Sequence, residues 1–174
     1  MKTGAGAVVG LTRKLFSIGA VVIEVTPLQR GAALKDVVSC ERAAGGAPAN
    51  VAAAVAKYGH DASMITKLGK DAFGDFLVEQ LEKAGVQTDK ILRTDEANTG
   101  LAFVSFKDNG ERDFSFYRKP SADLLFDTEE WKGVWLRQGD VLHFFSAGVV
   151  ERPRTDRIMH AMHVRKYHVG LSHL

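Results

Sequence analysis

The sequence predicts an α/β layered fold built on a mainly parallel sheet. Short apolar runs suited to strands alternate repeatedly with helical patterns along the chain. Glycines, prolines and one Asn-Gly pair fall at the changes between them. At 174 residues and 45% hydrophobic composition the chain can bury one ordinary core, since single domains peak at roughly 100–150 residues. No internal repeat or low-complexity linker divides it.

Residues 15–25, rich in Ile, Val and Phe, read as one buried strand, the first of the central sheet, ended by Thr26-Pro27. Residues 28–44 alternate briefly, with Val37, Val38 and Cys40 among charged neighbours, as exposed strands outside the main layer do. Residues 47–58 form a small-residue helix closed by Gly59, and residues 61–68 alternate like a strand. Residues 71–83 are amphipathic, with Phe73, Phe76, Leu77, Leu81 and Ala84 near one face and Gly85 as the stop. After Ile91-Leu92-Arg93, two alternating segments, 99–107 and 112–118, flank Asp108-Asn109-Gly110. Asn-Gly supplies the positive φ angles of a tight hairpin turn. Residues 141–145 read as another buried strand, and residues 153–164 as a helix opened by Pro153.

Charged residues make up 25% and the net charge is +2, so nothing calls for nucleic acid or an anionic membrane as partner. No apolar run approaches the roughly 18 residues of a membrane helix. Met1-Lys2 and the apolar stretch to Leu11 faintly imitate a secretion signal, but Arg13 and Lys14 interrupt it and no clear cleavage site follows. Residues 1–14 therefore read as a loose extension before a domain spanning 15–174. Gly4-Ala5-Gly6-Ala7-Val8-Val9-Gly10 has the wrong spacing for a dinucleotide loop and no strand before it. Cys40 is the sole cysteine, which excludes an internal disulfide and fits a reducing compartment such as the cytoplasm. His160 and His163 stand one helical turn apart near His168 and His173, yet no cysteine or carboxylate completes a ligand set, so no metal site is assigned.

The most informative stretch is Gly45-Gly46-Ala47-Pro48-Ala49-Asn50-Val51-Ala52-Ala53-Ala54. Two glycines let the backbone bend and let another molecule approach closely. Pro48 suits the first turn of a helix, and Asn50 brings donors and an acceptor to its start. A tight strand-to-helix turn with no ligand remains the alternative at this point.

In order and spacing, this stretch together with Gly59, Gly69, Asp71-Ala72-Phe73-Gly74, Thr99-Gly100-Leu101-Ala102-Phe103-Val104 and Phe116-Tyr117-Arg118-Lys119-Pro120-Ser121-Ala122-Asp123 resembles the N-terminal half of the PfkB/ribokinase family of carbohydrate kinases. The resemblance runs from about residue 15 to 166 and is closest to the fructokinases. It implies a ribokinase-like, Rossmann-type layered sheet with a small β lid formed by segments near 26–44 and 99–119. It also implies a sugar substrate, most simply fructose, phosphorylated with ATP and Mg²⁺. In many members two lids pair into a homodimer. A lid over substrate or over a second copy would bury Leu101, Phe103, Phe114 and Phe116; packing of the hairpin on its own core would do so too.

By the same resemblance Glu24, Gly45, Gly46, Asn50 and Arg118 bind the sugar, and Phe116 joins them by its position beside Arg118. Glu24 closes the first predicted strand, and ligands of α/β sheets lie beyond the carboxyl ends of strands. A carboxylate there can accept hydrogen bonds from two hydroxyls; a solvated strand-end charge is the other reading. The family carries aspartate at this place in a Gly-Glu-x-x-x-Asp-like run, whereas this chain has Gly19-Ala20-Val21-Val22-Ile23-Glu24. Arg118 matches an arginine over the substrate, its fork able to hold a hydroxyl or carboxylate, or it is a surface cation. Phe116 stands two positions earlier on the same face, able to stack on the sugar.

Phosphoryl transfer needs phosphate-charge neutralisation and a base near the attacking hydroxyl. The family places these in an Asp-x-x-Gly-Ala-Gly-Asp segment, which this sequence lacks, so no catalytic residue is assigned. Typical members are about twice as long, and residues 167–174 make a poor version of the strand expected next. The expectation is a chain truncated on its C-terminal side and inactive in phosphotransfer. Two other readings stay open: an inactive sugar-binding or dimerising fragment, and a kinase of 2-keto-3-deoxygluconate, which the Arg-Lys-Pro-Ser-Ala-Asp run disfavours. His143, in an apolar strand, reads as a core or strand-end histidine with a satisfied hydrogen bond.

Overall fold

A computed structural model of the chain describes residues 13–29, 31, 33–106, 112–127, 130 and 136–144. The predicted turn at 108–110, the helix at 153–164, the terminal histidines and residues 167–174 lie outside these.

Two four-stranded sheets organise the described residues. The first is parallel throughout, in the order β5 (Ile91–Thr94), β4 (Asp61–Gly69), β1 (Lys14–Ile18), β8 (Val141–Phe144). β4 is buried along nearly its whole length, as befits a central parallel strand covered on both faces. Val141 at the start of β8 is exposed, so this strand is less buried than its sequence predicts.

The second sheet is mixed, in the order β3 (Cys40–Gly45), β2 (Val22–Pro27), β6 (Leu101–Phe106), β7 (Arg112–Tyr117). β2 runs parallel to β6, while the β2–β3 and β6–β7 pairs are antiparallel. This is the expected small β layer. It begins earlier than the predicted residue 26, because the apolar run 15–25 is two strands in two sheets. Gly19, at φ 141°, makes the break, and Pro48 crowds the position where its Cβ would be.

α1 (Ala47–Lys57) packs on β4 and β1 of the parallel sheet, and α2 (Ala72–Lys83) touches β4 of that sheet and β2 and β3 of the mixed one. Pro48 sits in the first turn of α1, and Gly59 and Gly85 follow the helix ends with φ 82° and 85°, as their left-handed C-caps require. The main core joins Leu15, Ala62, Met64 and Leu68 of the parallel sheet to Leu77 and Leu81 of α2 and to Val21 and Ile23. A smaller cluster on the other side of the parallel sheet holds Phe16, Ile18 and Ile65, against Phe126, Leu136, Leu142 and Phe144. There the buried Lys67 ammonium donates to the Leu125 carbonyl at 3.0 Å and to Glu130 at 2.6 Å. Burial pushes the Glu130 carboxyl up, but the Lys67 bond and charge prevail and hold it below its ordinary value. Among the described residues no helix is long and apolar enough to cross a membrane.

Candidate functional site: one face of the mixed sheet

Residues paired across adjacent strands point to the same face of a sheet. Val22 pairs with Gly45, and Glu24 pairs with Ala43 on one side and Ala102 on the other. Ala102 in turn pairs with Phe116. Glu24, Gly45 and Phe116 therefore share one face, and so does Arg118, two residues past Phe116. Glu24 and Phe116 stand two strands apart, about 10 Å between backbones. The opposite face carries Ile23, Val25, Ala44 and Leu101 into the main core, with the Arg42 guanidinium 3.9 Å above the Phe76 ring of α2. Thus Leu101 belongs to the hairpin's own core, while Phe116, 59% exposed, stacks against exposed Phe114 at 5.9 Å on the open face.

Glu24 does not stand beyond the carboxyl end of a central parallel strand, as its place in the apolar run suggests. It lies inside β2 of the mixed sheet, because Gly19 and Ala20 divide that run. Its half-buried side chain rests directly on Gly45, where a Cβ would collide with Glu24 Oε1, Cδ and Cγ. Among the described residues its carboxylate has no hydrogen-bond partner.

Gly46 continues from Gly45 at φ 108° and caps α1, pressed so closely on the Ala20 carbonyl that a Cβ would clash with it. Its own carbonyl accepts from the Asn50 amide at 2.9 Å, which leaves the exposed Asn50 side chain in the first turn of α1. The buried Ser17 hydroxyl donates to the Pro48 carbonyl in the same turn at 2.8 Å. Having given its one proton there, it accepts from His143 Nδ1 at 3.0 Å. Burial lowers the His143 pKa, which favours the neutral ring. His143 is indeed a histidine with a satisfied bond, and it ties β8 and β1 to the start of α1.

Arg118 is not a surface cation. Its side chain is 17% exposed, and Nη2 donates to Asp123 Oδ2 on a carboxylate only 4% exposed. Ser121 Oγ donates to Asp123 Oδ1 at 2.6 Å. Arg118 Nε is buried without a hydrogen-bond partner. Gly100 makes room for the arginine stem: a Cβ there would sit 3.1 Å from Arg118 Cγ and 3.3 Å from Val22 Cγ1. Asp123 was visible in the sequence only as the end of the Arg-Lys-Pro-Ser-Ala-Asp run; the ion pair is the reason for its place.

A second polar cluster sets the start of β6. Asp71 caps α2, accepting from the Gly74 amide at 2.7 Å through Oδ1 and from the Thr99 amide at 2.8 Å through Oδ2. Thr99 Oγ1 accepts from the Gly69 amide at 3.1 Å, and Arg93 donates to the Gly69 carbonyl at 2.7 Å. Cβ atoms on Gly69 or Gly74 would collide with these partners. Burial raises the Asp71 pKa, but the Thr99 and Gly74 bonds outweigh it and hold the carboxyl below its ordinary value. In the sequence this run is marked as a helix start only. Its closeness to Gly100 makes it a support for the open face.

That face offers a half-buried carboxylate, donors on a fixed guanidinium, an exposed carboxamide at a glycine-lined turn and an aromatic surface. Together these suit a neutral, hydroxyl-rich molecule better than an anion, since the cation is already paired and the carboxylate is not.

Comparison with known proteins agrees with the fold. Fructokinase-2 of Oryza sativa subsp. japonica is 38% identical over 152 residues, which cover 87% of this chain and 45% of that protein. The crystal structure of the Xylella fastidiosa fructokinase with bound ATP superposes with a TM-score of 0.71 at 36% identity, covering 88% of this chain and 48% of that one. The 2-dehydro-3-deoxygluconokinase of Thermotoga maritima gives a TM-score of 0.75 at 26% identity, covering 87% and 47%. The chain spans about half the length of the relatives it matches. The family model described as pfkB family carbohydrate kinase matches residues 12–168, and the chain belongs to that family.

Proposed function

We propose that this chain carries the sugar-binding and lid portion of a fructokinase-type kinase, which transfers the γ-phosphoryl of ATP to a fructose hydroxyl. The observation that supports this most is the shared open face holding Glu24, Gly45, Phe116 and Arg118. Glu24 accepts from sugar hydroxyls, Arg118 donates to them, and Asn50 does either at the Gly45–Gly46 turn. Phe116 covers an apolar side of the ring. A second lid brought face to face would bury Phe114 and Phe116 and so make a homodimer.

The relative crystallised with ATP supports ATP as the phosphoryl donor. Among the described residues no group of three or more His, Cys, Asp or Glu could hold a metal ion, and no step is routed through Mg²⁺.

Calorimetric titration of the purified chain tests the reading. Saturable fructose binding that weakens about tenfold or more in Glu24→Ala supports it. Preference for 2-keto-3-deoxygluconate would move the substrate to the sugar acids, against the unpaired charge of Glu24. No binding of either sugar would refute the site.

A further inference from the structure

Arg118 is held by a set of residues that do not themselves face the open side of the sheet. The Asp123 side chain is almost wholly buried, and its carboxylate takes one guanidinium nitrogen of Arg118 and the Ser121 hydroxyl. The loop bearing it is anchored by the Ala122 amide, which donates to the Asn98 carbonyl at 2.9 Å. Asn98 lies next to Thr99, and the Thr99 amide is fixed by Asp71. Gly100 lets the arginine stem lie on the backbone between Val22 and Asp123, 3.4 Å from Asp123 Oδ1 to the place of a Cβ. A guanidinium offers five N–H groups in one plane. With Nη2 bound to Asp123, the orientation of that plane is set, while Nε remains buried and unpaired. Buried donors in folded proteins are nearly always matched, so an unmatched one on this face calls for an acceptor from outside the described chain.

We propose that Asp123, held by Ser121, is the positioning residue that fixes Arg118, so that its remaining donors meet the hydroxyl oxygens of a bound sugar. Asp123 touches no substrate itself. The role rests on the sugar-site reading above for its ligand, but the guanidinium geometry is testable without one.

The experiment pairs two readouts on the intact chain and on the Asp123→Asn, Asp123→Glu and Ser121→Ala variants. The first is the Arg118 Nε–H signal in heteronuclear NMR, assigned by its loss in Arg118→Lys. The second is fructose affinity by calorimetry. The expected result is a slowly exchanging Nε–H in the parent that broadens in Asp123→Asn, with fructose affinity about tenfold lower. Asp123→Glu should restore part of both. If Asp123→Asn fails to fold, Ser121→Ala decides, since it keeps the charge: a broadened signal with a severalfold loss of affinity supports the role. An unchanged Nε–H in the variants overturns it, as does fructose affinity equal to the parent when the signal is lost. If the parent binds no fructose, the sugar-site reading fails on its own, and the guanidinium signal alone upholds or overturns the positioning of Arg118.

Discussion

Glu24 and Gly45 compete for one volume. The acidic side chain lies across the glycine where any Cβ would stand, so the glycine is required by a neighbour as well as by whatever binds there. Gly45→Ala should therefore destabilise the chain by about 1–3 kcal/mol through overpacking. Glu24→Ala should relieve much of that, and a double-mutant cycle by urea unfolding should show coupling of about 1 kcal/mol or more. Additive effects would place the Glu24 side chain elsewhere. The sequence made both residues candidates but could not show their contact, since that depends on β2–β3 register across the 20 positions between 24 and 45. Arg118 is proposed as a site residue from the sequence, whereas Asp123 has no assigned role there. The buried pair between them turns a flexible cation into a fixed one, a fact of tertiary packing that no local pattern encodes.

At the scale of elements, the helices were the easiest to read because their ends are chemically marked. Asp71 caps α2, Pro48 enters α1 in its first turn, and Gly59 and Gly85 follow the two helices in the conformation glycine favours. The strand at 15–25 misled because both of its halves are apolar; only Gly19 hinted at a break, and hydrophobicity does not report which sheet a strand joins. That misreading carried Glu24 into the wrong sheet. The Asp71 cap also has a consequence for acid stability. Its folded pKa lies below the ordinary 3.8, so the folded chain holds this proton less tightly than the unfolded chain. The resulting stabilisation is complete above the unfolded value and drains away as the pH falls through the lower folded one. Asp71→Asn should cost about 1–2 kcal/mol at neutral pH and flatten the loss of stability below about pH 4. Denaturant unfolding of both proteins between pH 7 and 2.5 checks this; equal slopes in the acid range would contradict it.

For the whole molecule, a parallel sheet and a mixed sheet both touch α2, and the family relationship covers nearly all of the chain but about half of its relatives. The layered α/β class was legible because strand and helix patterns alternate so regularly. The two-sheet division was clear only in outline, because sheet membership is decided by pairing between distant segments. The sequence contains no Asp-x-x-Gly-Ala-Gly-Asp segment to supply a base and an anion-binding turn. This 174-residue chain should therefore bind fructose without turning it over. A coupled assay with ATP and Mg²⁺ should detect no ADP above background, and fructose-dependent ADP release would show that a base lies elsewhere in the chain.

On the proposed reading, the open face of the mixed sheet receives the sugar. A crystal structure of the chain grown with fructose tests it most directly. The expected result is a ketohexose seated at the Gly45–Gly46 turn, with Glu24 and Arg118 within hydrogen-bond distance of its hydroxyls. Fructose bound at another surface, or Glu24 still lying across Gly45 with that face bare at saturating sugar, would contradict it.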